Sequence, residues 1–512
     1  MMRYILAHDL GTSGNKATLY SEEGAMLASA TVAYAMHCFN GSWAEQDPEE
    51  WWQAVCDSTR ALLAKVSIDP ADIAVVALSG QMMGCTPVDI NGRALRPSLL
   101  YCDQRATREA EALLSRISME EFYGICGHRV SASYALEKLM WLRDNEPKVF
   151  RQTHMTLCAK DYVNYRLTGV FATDHSDASG TNAFDVNDFS WSEHVLALAD
   201  IDVCMFPKAV NAATLIGEIT DAAARATGLV AGTPVAAGAG DGSAAGVGAG
   251  SVRPGSAYLC LGSSAWIGLT VEKPIVDAGM STMNWAHAVP GYLHPTGTTQ
   301  TAGSSFKWMA EQICAVEALL GKTSGKSVYA QIDEVVAAVP PGARGVLFLP
   351  YLLGERTPWW NPDARGAFIG MNLASTRADM MRAVMEGVAM SLGLIADIFR
   401  AHVPIDKLTA IGGGARSAVW RQILADACGC PVQTLTSRAE ATSMGAAVIG
   451  GVACGLFKDF EAVNRFVVAD ETVQPCAERV SLYRARRALM ERAYHGLVDV
   501  YAELAEACRR TL

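Results

Sequence analysis

The feature that most constrains the fold is the stretch Tyr4-Ile5-Leu6-Ala7-His8-Asp9-Leu10-Gly11-Thr12-Ser13-Gly14-Asn15-Lys16, an apolar run that ends in an aspartate and a Gly-Thr-Ser-Gly turn before a second apolar run resumes. Gly, Ser and Thr are ordinary turn formers, so the stretch reads as a β-hairpin. Asp9 is not explained by the turn. It closes a run that should be buried, and a buried carboxylate must be paired, hydrogen-bonded or bound to a cation. The device recurs at residues 256–273, where a strand, the turn Gly262-Ser263-Ser264 and a second strand follow in the same order. Two copies of one hairpin point to a duplicated α/β architecture with a cleft between the halves.

Around the first copy the pattern gives strands over 3–10, 16–20 and 25–35, a helix over 47–65 with Pro48 in its first turn, and a buried strand over 73–78. Glycine-rich residues 235–255 lie between the halves, and the boundary is placed there: an N-terminal domain over 1–248 and a C-terminal domain over 249–512, ending in a charged amphipathic helix over 482–508. The chain has 512 residues and a net charge of −11, with no Lys or Arg run, which gives nucleic acid or an anionic membrane no electrostatic footprint. No stretch approaches the ~20 apolar residues of a membrane span. Met1-Met2-Arg3 leads into a run carrying His8 and Asp9, too polar for a signal peptide, so a cytoplasmic protein is expected. The 14 cysteines are scattered, and the closest pair, Cys428 and Cys430, lacks the second pair of a zinc site; buried thiols are expected.

Gly11, Thr12, Ser13 and Gly14 would let backbone N–H groups converge on a phosphate, with the Thr12 and Ser13 hydroxyls and Lys16 adding to the cradle. Asp9 beside it would face the phosphate across Mg²⁺, which takes one or two carboxylates with phosphate oxygens and water. The turn joins two strands instead of opening a helix, so it is not a Walker loop. Asp241, isolated in Gly238-Ala239-Gly240-Asp241-Gly242-Ser243, is a second unusual carboxylate, and the dinucleotide fingerprint that would compete for this segment fails at its last glycine. Residues 410–432 end a strand in Gly412-Gly413-Gly414 and start a helix capped by Ser417, a junction suited to a phosphate or nucleotide. The loops 79–84 and 101–106, with Asp103 and Arg105, could line a polar-substrate pocket or be ordinary loops.

Taken in order, these segments resemble the FGGY family of carbohydrate kinases. "DLGTSGNK" is similar to that family's first phosphate motif; "WAEQDPEEWW", "SGQMMG" and "KDYVNYRLTG" are similar to its xylulokinase branch; and "PYLLGERTPWWNPDARGAFIGM" leading into "DMMRAVMEG" fits its C-terminal pattern. The resemblance implies an α/β protein of two ribonuclease H-like domains, as in the actin, sugar kinase and heat-shock ATPase superfamily, with a central cleft. It implies transfer of the γ-phosphate of ATP to a primary hydroxyl of a small sugar, D-xylulose first, with another ketose, a polyol or an aldonate as the alternative. By position Asp241 falls on the catalytic base and Asp9 on the magnesium-associated carboxylate, reaching the metal through water. Gln81, Met82, Met83, Asp103, Arg105 and Gly242 are expected at the sugar. Gly11, Thr12, Ser13, Asn15, Lys16, Gly262, Ser263, Ser264, Gly412, Gly413, Gly414 and Arg416 are expected at ATP. The expectation leaves room for a homodimer. The chain departs from the xylulokinase pattern at Met83, Gly242 and Tyr101, where that branch usually has histidine, asparagine and tryptophan. A non-catalytic ATP switch of the actin or chaperone type would share both hairpins and the cleft without needing Asp241.

Overall fold

The computed structural model describes residues 2–436 and 440–511. The first sheet consists of β1 (Tyr4–Leu10), β2 (Gly14–Ser21), β3 (Met26–Ala33), β4 (Ile73–Gly80), β5 (Leu215–Glu218), β6 (Pro234–Ala236) and β7 (Ala239–Gly240). Its order is β5-β6-β4-β1-β2-β3, with β7 also on β4. The second consists of β8 (Ala257–Leu261), β9 (Ala265–Leu269), β10 (Met283–Ala286), β11 (Leu293–Thr299), β12 (Leu408–Ile411), β13 (Val432–Leu435) and β14 (Ala469–Val473), in the order β10-β11-β9-β8-β12-β13-β14. Both sheets join an antiparallel group, β1–β2–β3 or β8–β9–β11, to parallel neighbours on the far side of the hairpin, β4 or β12. The repeat expected from the two hairpins is therefore present in the sheets themselves.

The helices that matter for the site are α1 (Pro48–Leu63), α2 (His175–Ser179), α3 (Asp241–Gly248), α4 (Arg377–Arg400), α5 (Ala418–Cys428), α6 (Ala441–Ala453) and α7 (Ala477–Thr511). Asp47 caps α1 by accepting the Glu49 N–H at 2.9 Å, and Pro48 occupies the first turn, where its missing N–H costs nothing. Alternation along β1 then sorts its residues. Leu6 and Leu10 share a core with Trp51 and Val55 of α1, while Ile5 and Ala7 face Met444, Val448 and Ile449 of α6. Asp9 falls on the parity of Ile5 and Ala7.

That second face joins the two halves of the chain. Helix α6 comes from the second half of the chain but packs on the first sheet and on α3. Glycines make the approach close enough: a Cβ on Gly445 would stand 1.9 Å from the Ala244 carbonyl oxygen, and one on Gly248 would stand 1.7 Å from that of Ala441. The second core is built on β8 and β9 with α4 and α5. Helix α7 runs along its outside and inserts Tyr483, Met490 and Tyr494 into it. Cys428 and Cys430 are buried thiols. Among the described residues no helix is long and apolar enough to cross a membrane.

Candidate active site

Asp241 is the first residue of α3, and its Oδ1 accepts the Gly242 N–H at 2.7 Å. Its side chain is open to solvent, yet protein surrounds it on most sides. Desolvation, followed by the charge of Asp9, pushes its carboxyl up to about 7. A helix N-terminus favours a carboxylate; here enclosure and a like-charged neighbour outweigh it. The Asp241 charge is felt by Tyr101, by Tyr258, and by Cys260 two residues before the second hairpin turn. Asp241 thus stands where both hairpins and the 101–106 loop converge.

Asp9 is half-buried and paired in register with Lys16 on β2 and Ser79 on β4. Ser79 Oγ donates to Asp9 Oδ1 at 3.1 Å. Burial raises the Asp9 carboxyl, Lys16 and Ser79 work against that rise, and Glu440 adds to it. Lys16 Nζ is itself held by Glu440 Oε2 at 2.8 Å, so its charge is shared with a residue at the start of α6. Two carboxylates in mutual repulsion, supplied with one committed ammonium, form an oxygen-donor set suited to a hard divalent cation with phosphate and water completing its shell.

The first turn is closed by its own Gly11 N–H donating to Gly14 O at 3.1 Å, and it is held from outside by Gln46 Nε2, which donates to Thr12 O at 2.6 Å. Among the described residues nothing accepts the backbone N–H of Thr12 or Ser13, which leaves both for an anion. Asn15, expected at the phosphate, is instead buried beneath the hairpin, with Nδ2 donating to Ser58 Oγ at 2.8 Å and close to His8 Nδ1 at 3.0 Å. Strand alternation places it on the α1 side, opposite to Lys16.

The second turn docks on the helix that follows residue 302: Gly262 O accepts the Gly303 N–H, and Ser263 O accepts those of Ala302 and Ser304, all at 2.9 Å. Beside it lies a cavity of about 690 Å³ lined by Gly262, Ser263, Gly413, Gly414 and Arg416. Five residues expected at ATP, taken from two distant segments, therefore share one cavity. Ser264 and Gly412 flank its lining. Gly412 has φ +89°, and a Cβ there would meet the Leu261 carbonyl oxygen at 2.7 Å, so the turn requires glycine. Ser417 caps α5 as expected, accepting the Trp420 N–H at 3.0 Å while donating to Asp333 at 2.8 Å. Phe306, Tyr329, Asp333 and Trp420 also line this cavity and were not singled out from sequence. Their only signal was amphipathic spacing, which any packed helix shares.

On the other side of Asp241, Met82 lies under Gly240, where an added Cβ would meet its Sδ at 2.5 Å. Met83, with φ +66°, clusters with Tyr134, Met283 and Trp285, and Met82, Tyr101 and Trp360 pack against that group. Gln81 donates through Nε2 to Gln46 at 2.7 Å. Gly242 leaves space: a Cβ there would reach only His294 Cε1, at 3.9 Å. Asp103 and Arg105, expected at the substrate, are instead buried in an ion pair at 2.8 Å. Arg105 also pairs with Glu45 at 2.7 Å and lies 3.8 Å from the Trp43 ring centroid. Their charges are spent on each other, and they brace the loop that carries Tyr101.

The family model described as "FGGY family of carbohydrate kinases, N-terminal domain" matches residues 4–248, and its C-terminal counterpart matches residues 257–454. Xylulose kinase of Escherichia coli is 33% identical over 495 residues, covering 96% of this chain and 99% of the relative. The crystal structure of ligand-bound xylulose kinase from Lactobacillus acidophilus superposes with a TM-score of 0.91 at 25% identity, covering 98% of this chain and 100% of that one. That of gluconate kinase from the same organism gives the same TM-score, identity and coverage.

Proposed function

This chain belongs to the FGGY family of carbohydrate kinases and is an ATP-dependent sugar kinase, and on that premise we propose that it phosphorylates a primary hydroxyl of a ketopentose, D-xylulose before others. The observation that carries the proposal is the position of Asp241, with a methionine and aromatic wall on one side and the Asp9 hairpin and glycine-lined cavity on the other.

In this reading Asp241 takes the proton of the substrate hydroxyl as its oxygen attacks the γ-phosphorus, and the bond to the bridging oxygen breaks to release ADP. General-base help of this kind is worth roughly 10²–10⁴-fold. Phosphoryl transfer otherwise depends on positioning and charge neutralisation. The free N–H groups of Thr12 and Ser13 face the transferring phosphate, and the 262–264 turn with Gly413 and Gly414 holds the rest of the nucleotide. Asp9 would hold Mg²⁺ through water, and the ion would neutralise charge on the phosphate oxygens. Lys16 reaches phosphate by giving up Glu440.

The preference for D-xylulose rests on similarity to xylulose kinases along the whole chain. Aldonates remain as a second reading because the gluconate kinase superposes equally well and because Met83 and Gly242 remove hydrogen-bonding side chains from the pocket. A coupled ADP-release assay over D-xylulose, D-ribulose, glycerol and gluconate tests the choice. The highest kcat/KM is expected for D-xylulose, with a modest margin, since a pocket poor in donors discriminates weakly. The left-handed backbone at residue 83 accommodates histidine better than most residues, so Met83→His should fold and widen the margin. Rapid phosphorylation of gluconate or glycerol with none of D-xylulose would reject the ketopentose.

A further inference from the structure

Beneath Asp241 lies a buried charged cluster that the reaction above does not use. Lys160 Nζ contacts Asp161 Oδ1 at 2.5 Å, Asp174 Oδ1 at 2.8 Å and Asp177 Oδ2 at 3.1 Å, and all four side chains are at most 1% exposed. Cys158, Asp161 and Asp177 have the spacing of a metal site, but the Lys160 ammonium already supplies the cation. One lysine facing three carboxyls is a costly arrangement to bury, so its connections matter.

The connections lead to the base. The free oxygen of Asp174, Oδ2, accepts the Ser176 N–H at 2.7 Å and the Ser176 hydroxyl. With its proton committed there, Ser176 Oγ presents a lone pair to the Gly240 N–H at 2.9 Å. Gly240 immediately precedes Asp241 and is pinned on its other side by Met82. The same short helix, α2, holds the second half of the molecule: Ser179 Oγ accepts the Ala286 N–H of β10 at 2.9 Å.

We infer that Ser176, oriented by Asp174 and anchored by Lys160, is a positioning residue that fixes the backbone from which Asp241 projects. The inference rests on the reading of Asp241 as the base. Displacement of a reacting group by about 1 Å can cost on the order of 10²-fold in rate. The hydrogen bond therefore acts on kcat and not on ligand affinity.

A double-mutant cycle in the full chain tests this, with kcat and both KM values measured for wild type, Ser176→Ala, Asp241→Asn and the double variant, well below their melting temperatures. Ser176→Ala should lose about tenfold or more in kcat with sugar and ATP KM within about twofold. In the Asp241→Asn background the same substitution should change the residual kcat by less than about twofold, because there is no base left to position. An equal loss in both backgrounds, or no loss beside intact Asp241, overturns the inference while leaving the base assignment standing. Wild-type kcat in Asp241→Asn alone removes the base and the inference together. Ser179→Ala, which deletes a hydroxyl of the same helix, should keep kcat within about threefold; a loss matching that of Ser176→Ala would assign the effect to the helix as a whole and overturn the role of the Gly240 contact.

Discussion

A carboxyl pushed up to about 7 is half protonated at neutral pH, and that single property of Asp241 sets two expectations. In the role proposed for it Asp241 must be ionised, so kcat/KM should fall on the acid side with a limb near 7 in the free enzyme. Because Asp9 contributes to the rise, Asp9→Asn should move that limb to lower pH even as it lowers kcat. An unmoved limb would separate the two carboxylates electrostatically. The second expectation concerns stability. The ordinary value for this carboxyl is 3.8, so between about 4 and about 7 the folded state binds more protons than the unfolded state, and stability falls as pH rises. Asp241→Asn should therefore melt higher than wild type above pH 7, with the gap closing below pH 4. Burial also pushes Glu137 and Glu355 up to about 7, so the gap between the two proteins, not the wild-type trend, is the diagnostic quantity. Asp9 and Asp241 stood out in sequence because a carboxylate at the end of a buried run or among small residues has no cheap structural reason. The buried partners of Asn15, Asp103 and Arg105 were not legible, because a polar residue beside a glycine turn looks the same whether it meets a ligand or a buried partner.

At the scale of elements, the strands, Pro48 in the first turn of α1 and the Ser417 cap followed from local rules and appear where those rules put them. Helix α6 did not. Its glycine-broken apolar sequence gives a buried helix, but the sheet it covers depends on contacts far apart in the chain. Its glycines supply a test. Gly445→Ala should destabilise by about 1–3 kcal/mol or more, because the added methyl meets the backbone of α3. Gly496→Ala on exposed α7, where an added Cβ meets nothing within 4 Å, should stabilise by about 0.5–1 kcal/mol. Chemical denaturation measures both; equal effects would mean that α3 and α6 do not depend on glycine for their approach.

For the whole molecule, duplication was legible because the hairpin recurs, and the two sheets repeat it with the same antiparallel-to-parallel change. What sequence could not supply is the junction, where α6 crosses back, Lys16 meets Glu440, and α2 ties the backbone before Asp241 to β10. The Lys16–Glu440 contact alone joins residues 424 positions apart, beyond the reach of any local pattern. In the proposed reading these contacts bring the methionine and aromatic wall, Asp241 and the glycine-lined cavity together, an arrangement that a switch protein that only binds ATP does not need. The most direct measurement is kcat of Asp241→Asn at saturating ATP and D-xylulose, alongside ATP affinity. The account predicts a loss of roughly 10²–10⁴-fold with ATP binding unchanged, and wild-type turnover in that variant would contradict it.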